Sequence, residues 1–169
     1  IERDSKTVLE KIQHSGNLRI LTLNSASTYY QAHDGPNGFE YQLSTLFSEY
    51  IGVTPNFITV SQFADLYPEL LFGTGDIIAA GLSENESEFS SAVIYGPRYF
   101  ESANQVLYHK GHVTNPKKIE DLTEGLLHVV SGTSQVKLLA EVRKQHPGLV
   151  WREVDDAASE ELIERVDSG

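Results

Sequence analysis

The chain contains no cysteine. That rules out a disulfide framework, a thiolate nucleophile and thiolate metal ligation, and it decides nothing between cytoplasm and periplasm. Cations are scarce: 13 Lys and Arg stand against 24 Asp and Glu, a formal net charge of −11. With no basic patch to neutralise phosphates, the composition speaks against a nucleic-acid partner. An anionic membrane surface would repel the chain for the same reason. No apolar run approaches the roughly 20 residues that a membrane-spanning helix needs. The opening IERDSKTVLEKI is polar, so it reads as a mature or trimmed start and not as a secretory signal. Also missing are a P-loop, an HExxH or GxSxG motif, a Ser-His-Asp order and any zinc-type spacing. There is no close internal repeat, low-complexity tract or long linker.

What is present is a foldable chain. Its 169 residues are 40% hydrophobic, enough for one ordinary domain or two small lobes. Residues 5–15 read as a short helix with Val8, Leu9 and Ile12 on one face and Gly16 as its stop. LRILTLNS (18–25) is β-rich, and the breaker-rich stretch to Gly38 reads as a loop. In FEYQLSTLFSEYIG, Phe39, Leu43, Leu46, Phe47 and Tyr50 fall on one helix face, with Gly52 at the C-terminal end. VTPNFITV (53–60) reads as a strand, Phe63 to Leu71 as a helix, and DIIAAG (76–81) as a short buried strand. This β-α-β-α-β order implies parallel strands with covering helices. The order then begins again. ANQVLYHKG (103–111) reads as a strand and KKIEDLTEG (117–125) as a short helix or turn. LLHVVSGTSQ passes from strand through a corner into a helix running to about Gln145, LVWREV (149–154) is a strand, and 157–169 is a final helix. A strand is due after that helix, so the pattern reads as unfinished at its C-terminus.

Four stretches hold candidate chemistry. VVSGTSQ brings Ser131, Gly132, Thr133 and Ser134 to a helix start, where free N–H groups favour a carboxylate or phosphate; an ordinary N-cap uses the same residues. NSASTYYQ places Tyr29 and Tyr30 at a strand end, either lining a cleft or packing beneath the loop. His109 and His112 are three apart with no third ligand nearby, and His14, His33, His128 and His146 are scattered, so satisfied or surface histidines are the better reading. Glu84, Glu86 and Glu88 alternate in GLSENESEF. Alternate positions share one side of an extended chain. They suit an acid/base pair, a hard cation, or a solvated, self-repelling loop.

The blocks GFEYQL, GDIIAAGL and VVSGTS, with LRILT, YGPRYF and QVLYHKG between them, resemble the family-3 solute-binding proteins of the periplasm, from about Leu18 to Gly169. LEKIQHSGNLRILTLNSASTYY and HPGLVWREVDDAASEELIERVDSG are most similar to the subgroup forming the non-catalytic domain of membrane-bound peptidoglycan lytic transglycosylases. The resemblance implies a periplasmic-binding-protein-like, two-lobed α/β clamshell (type II), truncated within the second lobe, whose ligand is enclosed by hinge closure. It implies lobe 1 over 1–104 without its return segment, a first crossing strand at 105–110, and the first part of lobe 2 over 111–169. It also implies a periplasmic location, tethered to the outer membrane in the full-length protein.

Carried over position by position, the family's ligand contacts fall on Asn24, Ser25, Tyr29, Gly81, Ser83, Ser131, Thr133 and Ser134. The family's amine-binding aspartate has no counterpart within these residues. One departure matters: where amino-acid binders carry an arginine that clamps the ligand's carboxylate, this sequence has Glu88. A carboxylate there repels a carboxylate and favours a cationic group. Arg98 is the nearest cation in sequence, and it substitutes only if the loop folds back. The resemblance implies a small ligand (amino acid, peptide or wall fragment), a downstream catalytic domain as partner, and no catalytic residue, metal or cofactor in this chain. Three functions compete: a regulatory ligand-binding domain of a lytic transglycosylase, a free importer receptor, and an enzyme using the acidic loop. The lost arginine weakens the second.

Overall fold

The computed structural model describes residues 6–83, 91–101, 103–109, 116–122, 127–155 and 159–168, the first two residues of the last segment by backbone only. Glu84, Glu86, Glu88 and His112 lie outside the described residues. The chain divides into two compact units, Ile1–Ser61 with Asp65–Leu82, and Gln62–Ala64 with Ser83–Gly169.

The first unit opens with helix α1 (Val8–Ser15). A reciprocal cap starts it: Glu10 N–H donates to Thr7 Oγ1 at 3.2 Å, and Thr7 N–H donates to Glu10 Oε2 at 2.7 Å. Gly16 ends it in the left-handed region, φ 72°. Strand β1 (Asn17–Leu23) follows, and its Leu18, Ile20 and Leu21 are at most 1% exposed. β1 is buried because it is central. It pairs in parallel with β4 (Thr54–Val60) on one side and with β5 (Ile77–Ile78) on the other, giving the order β4-β1-β5. A strand covered this way reads as a continuous apolar run, as RILTL nearly does. Ile12, Leu18, Ile20 and Ala79 form the core, with Ile51, Val53, Phe57 and Ile77 packed against it.

Two differences from the sequence reading stand out. The stretch before Gly38 is not all loop. Strands β2 (Tyr30–Ala32) and β3 (Gly35–Asn37) form a small antiparallel hairpin across His33-Asp34. Asp34 stands in the turn, and Gly35, at φ 128°, opens β3 opposite Ala32. The second difference concerns helix α2 (Phe39–Ile51), which packs on β4. Its buried line is Glu40, Ser44 and Ser48, whereas Phe39, Leu46 and Tyr50 are 54%, 63% and 87% exposed. Small side chains at 44 and 48 let the helix approach the sheet closely. The Ser48 hydroxyl is satisfied by donating to Ser44 O at 2.8 Å. The apolar stripe therefore faces away from β4.

A short 3-10 turn (Phe63–Asp65) leads into α3 (Leu66–Phe72), where Leu66 and Tyr67 are buried. Arg19 of β1 locks the α3–β5 connection. Its guanidinium bonds both carboxylate oxygens of Asp76, at 2.7 and 3.1 Å, and Gly73 O at 2.7 Å. Burial alone would raise the Asp76 pKa; the hydrogen bonds from the Arg19 side chain and backbone outweigh it and hold it below the usual carboxylate value.

In the second unit, β6 (Leu127–Val130) and β7 (Trp151–Val154) pair in parallel, joined through α4 (Ser134–Gln145); α5 (Ser159–Ser168) follows. Val129 and Leu149 are its buried apolar residues. The Arg143 guanidinium lies 4.5 Å from the Trp151 ring centre, bracing α4 on β7. His146 Nδ1 sits 3.0 Å from Glu120 in a second 3-10 turn, Ile119–Asp121. Residues 103–109, within the stretch read as a strand, form no ladder among the described residues.

Candidate functional site

In each unit the sequence-predicted contacts gather at the C-terminal ends of parallel strands, where open α/β sheets present their ligand crevices. In the first unit, the loop after β1 is tightly self-bonded. Thr28, 5% exposed, donates to Leu23 O at 2.6 Å. Ser25 Oγ lies 2.9 Å from Thr28 Oγ1 and 3.1 Å from Ser27 Oγ, and Ser25 N–H donates to Tyr29 O at 3.0 Å. Asn24 forms a bridge with Tyr29 and stays exposed. The Tyr29 ring stacks on Phe57 at 5.4 Å and meets Tyr41 edge-on at 5.8 Å. The Tyr29 ring is thus packed on two aromatic neighbours while staying partly exposed.

The start of α2 clamps this loop from below. Glu40 and Tyr41 donate their backbone N–H groups to Ser27 O and Thr28 O at 3.3 and 3.0 Å. This helix N-terminus therefore serves the loop and not an anion. Gly38 makes the approach possible. A Cβ there would sit 2.3 Å from Thr28 O, and its φ of 131° suits glycine.

β5 leads to Gly81, exposed and at φ 64°; Ser83, also exposed, belongs to the second unit. Thr22 Oγ1 ties the strand ends by donating to Ala79 O at 2.7 Å. Glu40 was missed by the sequence reading. It is 4% exposed, and its Oε1 lies 3.8 Å from where a Gly81 Cβ would stand. An acid in the first turn after Gly38-Phe39 was its only sequence signal. The first corner thus combines hydroxyls, strand-end backbone and a carboxylate.

The second corner differs. Gly132 turns at φ 74°, Ser131 N–H donates to Val154 O at 3.1 Å, and Thr133 holds extended N-cap geometry at the start of α4. Its hydroxyl does not cap the helix and donates back to Val130 O at 2.7 Å. Ser134 Oγ lies 3.2 Å from Gln135 Oε1, and Gln135 Nε2 donates to Asn104 at 3.1 Å. The helix start keeps its positive dipole end without a side-chain cap. Among the described residues no three His, Asp or Glu side chains are grouped to hold a metal, and no helix is long and apolar enough to cross a membrane.

Comparison with known proteins agrees with this geometry. The sequence pattern of the bacterial extracellular solute-binding proteins, family 3, matches residues 18–165. A membrane-bound lytic murein transglycosylase F from Pseudoalteromonas translucida is 35% identical over 99% of this chain, and one from Serratia proteamaculans is 37% identical over 95%. The chain spans only 35% and 33% of those two proteins. Among solved structures, an amino acid ABC transporter substrate-binding protein from Streptococcus pneumoniae, bound to L-arginine, superposes with a TM-score of 0.79 at 21% identity, over 97% of this chain and 68% of that one. The ancestral amino acid-binding protein AncCDT-1 gives 0.77 at 22%, over 96% and 70%. At those identities the structures establish the fold, that of the type II periplasmic amino-acid-binding proteins. The chain belongs to the bacterial extracellular solute-binding proteins, family 3.

Proposed function

We propose that this chain is the small-ligand-binding, regulatory part of a periplasmic peptidoglycan lytic transglycosylase and is not itself catalytic. One observation carries the reading: nearly the whole chain, which has the solute-binding fold, matches about a third of proteins named lytic murein transglycosylase. Cleavage then belongs to a partner domain, and the outer-membrane tether to the full-length protein. The ligand is an amino acid, a short peptide or a wall fragment. Its proposed contacts are Asn24, Ser25, Tyr29 and Gly81 in the first unit, and Ser83, Ser131, Thr133 and Ser134 in the second. Occupancy alters activity through the ligand's different affinities for two conformations of the domain.

The chemistry of the first corner favours a cationic or donor-rich group. Glu40 is buried beside Gly81, and Asn24 and Ser25 bring no positive charge. The α4 start in the second unit favours an anionic or carbonyl group. The alternative, a free importer receptor for an amino acid, is favoured by the arginine-bound neighbour.

Calorimetric titration separates the two. Soluble wall peptides are expected to give saturable heat, whether or not an amino-acid panel including arginine also does. Arginine binding without wall-peptide binding replaces the regulatory reading with the importer one. Incubation with purified peptidoglycan is expected to release no soluble fragments; release would make the chain an enzyme.

A further inference from the structure

Strand β3 meets helix α2 at Asn37 and Gly38, and this is the one Asn-Gly pair in the sequence. In such a pair the backbone nitrogen of the glycine can reach the side-chain carbonyl carbon of the asparagine and close a five-membered ring. Glycine leaves that nitrogen unhindered because it has no Cβ. The fold brings the two groups together: Gly38 N–H donates to Asn37 Oδ1 at 2.7 Å. The terminal torsion of an asparagine is broad, so a turn about it shows the face of Cγ to the nitrogen while the backbone stays in place. Gln42 Nε2 donates to the same Oδ1 at 2.9 Å, where negative charge gathers when Cγ is attacked. Asn37 is only half-buried, within reach of water.

We propose that Asn37 is a self-modification site, at which the folded chain deamidates and lengthens its own backbone. The Gly38 nitrogen bonds to Asn37 Cγ, the Cγ–Nδ2 bond breaks, and the Gly38 proton leaves with Nδ2 as ammonia. Water then opens the imide. Attack at Cγ gives aspartate; attack at the Asn37 backbone carbonyl carbon gives isoaspartate, whose main chain runs through Cβ and Cγ. Either product carries one more negative charge, and nothing is oxidised or reduced.

The isoaspartate product strikes the support of the loop after β1. It inserts a methylene into the backbone immediately before Gly38. Gly38 lies so close to Thr28 that an added Cβ would stand 2.3 Å from Thr28 O. The next two residues of α2 donate their N–H groups to Ser27 O and Thr28 O. A longer backbone at 37 displaces this contact and frees the loop that holds Ser25 and Tyr29. The conversion depends on these local contacts alone and stands whether or not the ligand reading holds.

Asn24 is the internal control. It is more exposed than Asn37, but Ser25 follows it, and the Ser25 N–H is engaged with Tyr29 O at 3.0 Å. The intact chain is held in mildly alkaline buffer and mapped by peptide mass spectrometry, with isoaspartate read by enzymatic methylation. Asn37 is expected to convert at least about tenfold faster than Asn24, since only its nucleophile is free of a Cβ and in place. In the isoaspartate form the Thr28 and Tyr41 amides are expected to exchange about tenfold faster, with those of β6 unchanged. Asn37→Asp adds the charge without the methylene and keeps an acceptor for Gly38 N–H. It is expected to leave both amides within about twofold of the starting protein. Three results overturn the proposal: Asn24 converting as fast as Asn37, converted chains whose Thr28 and Tyr41 amides are unchanged, or Asn37→Asp loosening the loop as much as isoaspartate does.

Discussion

The central strands of the two units have the same parallel neighbour and very different burial. β1 holds Leu18, Ile20 and Leu21 at 1% exposure or less, whereas Val129 is the buried residue of β6 and α4 buries none. A β-α-β crossover fixes pairing and direction. It does not by itself close a core, because a parallel strand becomes interior only when both edges are paired and both faces covered. β1 has β4 and β5 along its two edges and α1 and α3 packed against it.

The largest expected effect tests this contrast directly. Ile20→Ala removes a fully buried side chain from the first core and is expected to cost about 2–5 kcal/mol, lowering exchange protection throughout β1, β4 and β5. Val129→Ala at the matching place is expected to cost about 1 kcal/mol, with its effect confined to β6 and β7. Equal losses would mean that the second sheet is as well covered as the first.

Next comes the loop support. Gly38→Ala drives a Cβ onto Thr28 O and asks alanine to hold a φ of 131°. A loss of about 3 kcal/mol is expected, seen as faster exchange at Thr28 and Tyr41 before the rest of the first unit. No comparable change is expected at Gly148, where an added Cβ meets nothing within 4 Å.

Much of this was legible in the sequence. Helix α2 and strand β4 were placed to within a residue, because periodicity and glycine stops are local signals. The side of α2 that faces β4 was not legible, because Ser44 and Ser48 gain burial only from closeness to a particular sheet. Period alone favours the stripe of Phe39, Leu43, Leu46, Phe47 and Tyr50. The loop of Ser25 and Thr28 was found as a polar strand end, but its bond network depends on Gly38, ten residues after Thr28. Glu40 came to Gly81 from a distant stretch, and nothing local announces such a meeting. Segment 103–109 shows the converse: strand-like composition alone does not make a ladder.

The Arg19–Asp76 lock ranks third. Asp76→Asn is expected to cost about 1–2 kcal/mol at pH 7, toward the low end because Arg19 is 43% exposed. The Asp76 pKa is lowered on folding, so the lock's contribution is complete above the unfolded value and fades as pH falls through the folded one. Chemical denaturation of both proteins is therefore expected to show a gap at pH 7 that narrows below about pH 4. A gap independent of pH would mean that Asn makes the same bonds, and that charge contributes nothing.

The smallest effect on stability separates fold from function in the second unit. The Thr133 hydroxyl donates to Val130 O and leaves the α4 N-terminus without a side-chain cap. Thr133→Ala removes that one bond and is expected to cost about 0.5–1 kcal/mol, because the residue is only partly buried. Thr133→Asp supplies a capping carboxylate and is expected to recover that loss. If the α4 start receives an anionic or carbonyl group of the ligand, the same aspartate occupies its place. Wall-peptide binding should then fall further in the aspartate variant than in the alanine one, although the aspartate protein is the more stable. Were binding to follow stability instead, the second corner would be only a strand-to-helix turn, and the ligand contacts would belong to the first unit.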